Sequence, residues 1–467
     1  MKPRHLILAL GAVVVSGLCA ADAGDANQSA GAFTLPAATA STNLQPASVL
    51  SDWQRAAFLR GRAGFNRPWV VFGISTGDWG VGPTFVADRC SACHERGGRG
   101  VVPKSAMEQV LAMVVRISQP GSSDHGGPKP LENYGEQLQN LSLQGQTPDQ
   151  LHAYEPIPAE AEIYLDWNEH QVVLADGTAV NLRSPRLRLE NPAFGQFPAD
   201  MLSSLRIAQP VFGLGLLAAV PDETLHALAA KQREAGFNGR LNQVWDAANH
   251  RMTTGRFGWK ASQPTLRQQI AAAAIHDMGV TSNLFFKQNC PPIQVLCRRE
   301  VPGNDPELSD AAWEDFEILM LGSAVPARRP VADAQIRRGA ELFESLQCAV
   351  CHVPTLQTTA YFARLPQLSN QTFHPYTDLL LHDMGEGLAD HRPDFAAGAR
   401  DWRTPPLWGL GLARVIHGNR ALLHDGRARD FTEAILWHGG EAQGARDAYA
   451  RLPAAEREAL EAFLKAI

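Results

Sequence analysis

Ile336-Arg-Arg-Gly-Ala-Glu-Leu-Phe-Glu-Ser-Leu-Gln-Cys348-Ala-Val-Cys351-His352 decides how this chain is read. Ile336, Gly339, Leu342, Phe343 and Leu346 recur at the three-and-four spacing of one helical face. That face runs directly into C-x-x-C-H, the pattern in which two thiols attach a c-type haem and the next histidine ligates its iron. Cys90-Ser-Ala-Cys93-His94 is a second copy. A bare C-x-x-C serves equally as a redox dithiol or half a zinc site. A histidine directly after it, twice over in a chain of seven cysteines, favours two covalent haems. His94 and His352 are then the proximal iron ligands, and Cys90, Cys93, Cys348 and Cys351 the attachment points.

Working outward, the surroundings of the two motifs repeat. Arg60-Gly61-Arg-Ala-Gly-Phe65 precedes the first as Arg338-Gly339-Ala-Glu-Leu-Phe343 precedes the second. Downstream, Arg206-Ile-Ala-Gln-Pro-Val-Phe-Gly-Leu-Gly-Leu216 matches Arg403-Thr-Pro-Pro-Leu-Trp-Gly-Leu-Gly-Leu412. The preserved order predicts a domain duplication. Ser51-Asp52 caps a helix carrying Ala57 and Phe58, and a closing helix follows Pro453 with Leu460, Phe463, Leu464 and Ile467 on one face. A leading and a closing helix that cross beside the haem make a cytochrome c module. The expected fold is mainly α, with two cytochrome c-like domains, 51–325 and 333–467. The first is enlarged by a small β-hairpin, Gln171–Leu174 with Ala179–Leu182, around the turn Asp176-Gly177. Residues 325–332 read as the linker.

A net charge of -6 argues against a nucleic-acid binder. Lys2 and Arg4, the short apolar run Leu6–Val15 and the small residues around Ala21-Asp22-Ala23 read as a signal peptide over 1–23, hence the periplasm. Leu18 before Cys19 argues against a lipid anchor there. The run is too short for an integral membrane span, and no later stretch qualifies. Residues 24–50 read as a flexible leader. Cys290 and Cys297 are spaced for a small disulfide loop, which an exported protein permits.

The side of each haem opposite the proximal histidine decides between electron carrier and enzyme. His438, in Ala434-Ile-Leu-Trp-His438-Gly-Gly, is the sixth-ligand candidate for the second haem, with Met384 as its rival. For the first haem, His125, His152 and His170 have no supporting context, which favours a substrate-facing iron that is open or weakly six-coordinate. The two His-Asp-Met-Gly phrases, at His276 and His382, lack zinc-site spacing.

Thr404-Pro405, Leu422-Leu-His-Asp-Gly426 and the helix before His438 fall in the order seen in the bacterial dihaem cytochrome c peroxidase and MauG superfamily, which the second half resembles. There the distal ligand is Met or Tyr, whereas here the position holds His, which implies a lower potential. Gly80-Val-Gly-Pro-Thr-Phe85, Tyr134-Gly-Glu-Gln-Leu-Gln139, Gly255-Arg-Phe-Gly-Trp-Lys260, Asp378–Gly385 and Trp402–Gly409 are similar to the dihaem oxidoreductase and peroxidase family, also called "thiol oxidoreductases". The resemblance spans most of 51–467. It implies electron passage between the haems, an oxidant such as hydrogen peroxide, and a redox partner protein. It implies a proton-moving group, for which Glu136 and Gln137 are the candidates. It also implies an aromatic relay, for which Trp259 is the candidate and Trp402 and Trp408 the alternatives. The superfamily carries a calcium ion between the haems; no ligand set for it stands out in the sequence. Rival readings are a non-catalytic electron-transfer cytochrome and a redox partner in periplasmic iron uptake.

Overall fold

A computed structural model describes residues 29–35, 44–70, 80–144, 155–299, 305–329, 333–414 and 420–467. The predicted signal peptide, Cys19 and His152 lie outside the described residues.

The leading helices form where the sequence places them. Asp52–Asn66 starts where the Ser51 amide donates to Gln54 Oε1 at 2.9 Å. Ala334–Ser345 starts where the Asp333 carboxylate accepts from the Gln335 amide at 2.8 Å. The first packs on Asp310–Gly322 and the second on the C-terminal helix Ala454–Ala466. Both crossings turn on a glycine. A Cβ at Gly61 would overlap the Asp315 carbonyl, and one at Gly339 the Ala459 carbonyl. The preceding arginine clamps each crossing from outside: Arg60 pairs with Asp315 at 2.7 Å and Arg338 with Glu456 at 2.8 Å. Such exposed pairs contribute at most about 1 kcal/mol. The glycines matter more, since overpacking a tight crossing costs about 1–3 kcal/mol.

The downstream repeat is built twice as well. Gly213 and Gly409 adopt left-handed φ of 69° and 72°. Two residues on, Gly215 lies against the Leu321 carbonyl and Gly411 against the Lys465 carbonyl, leaving no space for a side chain in either.

The expectation of a mainly α molecule is wrong: of the described residues, 31% are helical and 21% in strands, the strands divided among many small sheets. Between the first C-x-x-C-H motif and its downstream repeat the chain turns to strand. Met113, Val115 and Ile117 alternate inward along Met113–Ser122, which pairs antiparallel with Leu202–Ile207. The hairpin has its turn at Asp176-Gly177 as read, with Gly177 at φ 84°. It is not small: Glu162–Val173 pairs with Ala179–Glu190 through twelve residues an arm. Its outer length lacks clean apolar alternation and is held by charge. Asp166 faces Arg186 in register at 2.6 Å, and Arg183 and Arg188 lie 3.9 and 4.6 Å over Trp167 and Tyr164.

The hairpin tip reaches the second motif's surroundings. Leu174 and Leu182 share a buried cluster with Leu342, Phe343 and Leu460, and Arg457 pairs with Asp176 at 2.7 Å. The described parts of the expected flexible leader also pack. Phe33 and Leu44 are buried, and Thr34–Leu35 pairs in parallel with Val325–Pro326 at the start of the expected linker. Cys290 and Cys297 are disulfide-bonded. No helix of the described residues is long and apolar enough to cross a membrane.

Candidate functional site

Cys348 follows closely on the helix Ala334–Ser345, whereas Cys90 lies well beyond Asn66 and opens a short helix of its own, Cys90–Cys93. Each motif lines its own cavity, of ≈280 Å³ for Cys90, Cys93 and His94 and ≈410 Å³ for Cys348, Cys351 and His352. The local geometry repeats closely. The His94 amide bonds the Cys90 carbonyl at 3.0 Å and the His352 amide the Cys348 carbonyl at 2.9 Å. Phe65 lies 6.2 Å from His94 and Phe343 6.3 Å from His352, both at 54°.

The histidines are preset as ligands. Nδ1 of His94 lies 2.7 Å from the Gln209 carbonyl, and Nδ1 of His352 lies 3.0 Å from the Tyr376 carbonyl. A carbonyl only accepts, so Nδ1 carries the proton and Nε2 keeps its lone pair. Burial lowers the pKa of both, and that of His352 falls to about 4. Both are therefore neutral imidazoles, the form that binds a metal. His438 has the same arrangement. Its Nδ1 donates to the Ala434 carbonyl at 2.7 Å at the end of Phe431–Leu436, burial lowers its pKa, and it lines the second cavity with His352.

The cysteines are unbridged, and burial pushes Cys90, Cys93 and Cys348 up to about 12 and raises Cys351 as well. Thiol exchange needs a thiolate, which such burial suppresses. Paired neutral thiols, a neutral histidine and a largely apolar cavity fit a thioether-linked haem instead.

The second cavity also contains His382, His424 and Met384. His382 is committed elsewhere. Its Nε2 meets Asp378 at 2.9 Å and its Nδ1 meets Glu441 at 3.0 Å. Burial opposes charge on this ring, but the two carboxylates outweigh it and raise its pKa to about 12. Cys351, Asp378 and His382 place three ligand-type atoms within 4.8 Å of one another. That arrangement reads better as an imidazolium held between carboxylates than as a metal site. His424 lies flat on Trp402 at 3.7 Å. His352 and His438 thus share the one pattern, Nδ1 fixed on a backbone carbonyl. No all-carboxylate set of calcium type occurs among the described residues.

The first cavity holds no histidine besides His94 among the described residues. His125 stacks on Trp245 at 4.0 Å and His170 packs edge-on to Trp437; neither lines it. Glu136 does not line it either. Gln137 is buried, and its amide donates to Asp277 Oδ1 at 2.9 Å and to the His276 carbonyl at 2.8 Å. Asp277 does line the cavity, with Arg116, and burial raises the pKa of its carboxyl. The sequence held a signal for it, since His276-Asp-Met-Gly mirrors His382-Asp-Met-Gly.

Trp259 stands in the wall between the cavities and lines both, its indole N–H donating to the Ile207 carbonyl at 2.8 Å. Trp402 lines only the second cavity and Trp408 only the first.

Residues 23–467 match the family described as "Di-haem oxidoreductase, putative peroxidase". No curated protein and no solved structure matches the chain.

Proposed function

Because the chain belongs to the di-haem oxidoreductase family, we propose that it is a periplasmic, peroxidase-like enzyme with two covalent haems c, one in each cavity. Residues 51–325 and 333–467 are the two haem units. Cys90 with Cys93 and Cys348 with Cys351 provide the thioether sulfurs. His94 and His352 would ligate the two irons, and His438 would be the further protein ligand available in the second cavity. The observation that carries this reading is the shared arrangement of three cavity-lining histidines, each with its pKa lowered, Nδ1 fixed on a carbonyl and Nε2 left for a cavity.

Reduction of hydrogen peroxide to two waters takes two electrons and two protons. The haems supply the electron chemistry when bound, and a redox partner protein replenishes it. The chain's own residues do the rest. Asp277, oriented by Gln137 and with a pKa raised by burial, lines the first cavity as the group that can take up and hand on a proton. Arg116 beside it offers a fixed positive charge to a developing anion. Trp259 conducts between the cavities. His438 would occupy the second iron, which would leave the first cavity, with no such second histidine among the described residues, as the place for the oxidant.

A second reading has its own support. Met113, Met278 and Met320 line the first cavity, and a thioether ligand from any of them makes the chain a pure electron carrier. Cyanide binding to holoprotein matured in a periplasm separates the two. The enzyme binds cyanide at one haem in two and turns over peroxide; the carrier does neither.

A further inference from the structure

The wall shared by the two cavities carries positive charge that the protein does not answer. Arg99 and Arg403 line both cavities and are 6% and 4% exposed. Among the described residues neither has a carboxylate at ion-pair distance; their partners are oxygens of amides. Arg99 donates from Nε to the Ala421 carbonyl at 3.2 Å and from Nη2 to the Leu423 carbonyl at 2.9 Å. Arg403 donates from Nε to Gly258 at 2.9 Å, from Nη1 to Thr404 at 3.2 Å and from Nη2 to Gln209 Oε1 at 3.2 Å. A guanidinium has five N–H donors. Two of Arg99's and three of Arg403's are so used, and the rest are free for a ligand.

The neighbouring buried cations behave differently. Arg206 holds in the first repeat the place that Arg403 holds in the second, and it pairs with Asp394 at 2.9 Å. Lys260 pairs with Asp390 at 2.7 Å. Asp378, the acidic group felt by Arg403, is already bonded to His382 and Gln232. Burial lowers the pKa of Arg99 and Arg403 to about 10, which leaves both charged at neutral pH. Buried charges persist where they are paired, and these two face the spaces where the haems bind.

We propose that Arg99 and Arg403 take the propionate carboxylates of the two haems, reaching them from the common wall, and thereby set both reduction potentials. The proposal rests on the haem reading above. A haem brings two carboxylates into a largely apolar cavity, and a planar guanidinium is the side chain that meets a carboxylate through paired N–H bonds. Adding an electron to a haem is favoured by nearby positive charge, so each arginine raises the potential of both haems. Arg99 also stands 5.4 Å over the Trp259 ring, where its charge acts on the relay itself.

The test is potentiometric titration of holoprotein carrying R99Q or R403Q, followed by the absorption of each haem. Mass spectrometry of wild type first shows two thioether-linked haems; if it does not, the haem reading fails by itself. With two haems present, both midpoints are expected to move negative in each variant. They should also acquire a pH dependence between about pH 5 and 8, as a released propionate titrates. Unchanged midpoints and pH slopes in both variants overturn the proposal, and so does a shift confined to one haem. Should the glutamine variants not accumulate, R99K and R403K carry the test. Their propionate bending bands in resonance Raman spectra are expected to shift from wild type, and unmoved bands overturn the proposal.

Discussion

The two cavities are built alike on the proximal side and differ beyond it. Leading helix, close-approach glycine, paired thiols, phenylalanine beside the histidine and a carbonyl on Nδ1 recur with nearly the same distances. Then the second cavity gathers His438, His382, His424 and Met384, whereas the first gathers Asp277, Arg116 and three methionines. One scaffold thus carries two different linings around its C-x-x-C-H histidines. The difference teaches that coordination at the two irons must be read separately, although attachment is read from one motif.

The comparison is broken most severely at the cysteines. Replacing Cys90 and Cys93 with serine removes one haem from the purified protein, and replacing Cys348 and Cys351 removes the other; intact mass shows the loss of one haem from each variant. The serine pair at the first motif should abolish peroxide turnover and leave a low-spin second haem. Next in size is Asp277→Asn. Loss of a positioned proton donor costs about 10²–10⁴ in rate, so steady-state peroxide reduction should fall at least about a hundredfold, while Glu136→Gln, away from the cavity, changes it far less. His438→Ala opens the second iron: cyanide titration should rise from one equivalent to two.

The smallest effect concerns stability. Glu160 is fully buried against Gln294 and the Gln139 amide, and burial raises its pKa to about 8 from an ordinary 4.5. The folded state therefore keeps a proton that the unfolded chain releases above about pH 4.5. This contribution is fully present below that pH and is lost as pH rises toward 8, at up to about 1.4 kcal/mol per unit. Denaturant titrations across this range should show the slope in wild type and a flatter one in Glu160→Gln.

The sequence made the duplicated frame legible because its signals are local. C-x-x-C-H, Gly61 and Gly339, Pro453 and Asp176-Gly177 each determine their own neighbourhood. The strand content was not legible. The long hairpin is held by Asp166, Arg186, Arg183 and Trp167 across the register, and cross-strand charge leaves no apolar period to read. The described parts of the predicted leader pack because Thr34–Leu35 pairs with Val325–Pro326 and the Ala32 amide donates to Gln371, partners too far along the chain for any window of sequence to cover. At the candidate site, Cys90, Cys93, His94, Cys348, Cys351, His352 and His438 were brought forward as candidates by spacing and order, and the structure places each in the lining of a cavity. Asp277 had a signal in the mirrored His-Asp-Met-Gly phrases that only its place in the first cavity makes readable, and Arg99 and Arg403 had none, since their meaning depends on which cavities they face and on the carboxylates they lack.

Resonance Raman spectroscopy of the oxidised holoprotein, with and without cyanide, tests the contrast between the cavities most directly. The spectrum should contain one low-spin, six-coordinate haem that ignores cyanide and one high-spin haem that becomes low-spin with it. Two low-spin haems, both indifferent to cyanide, would contradict the account.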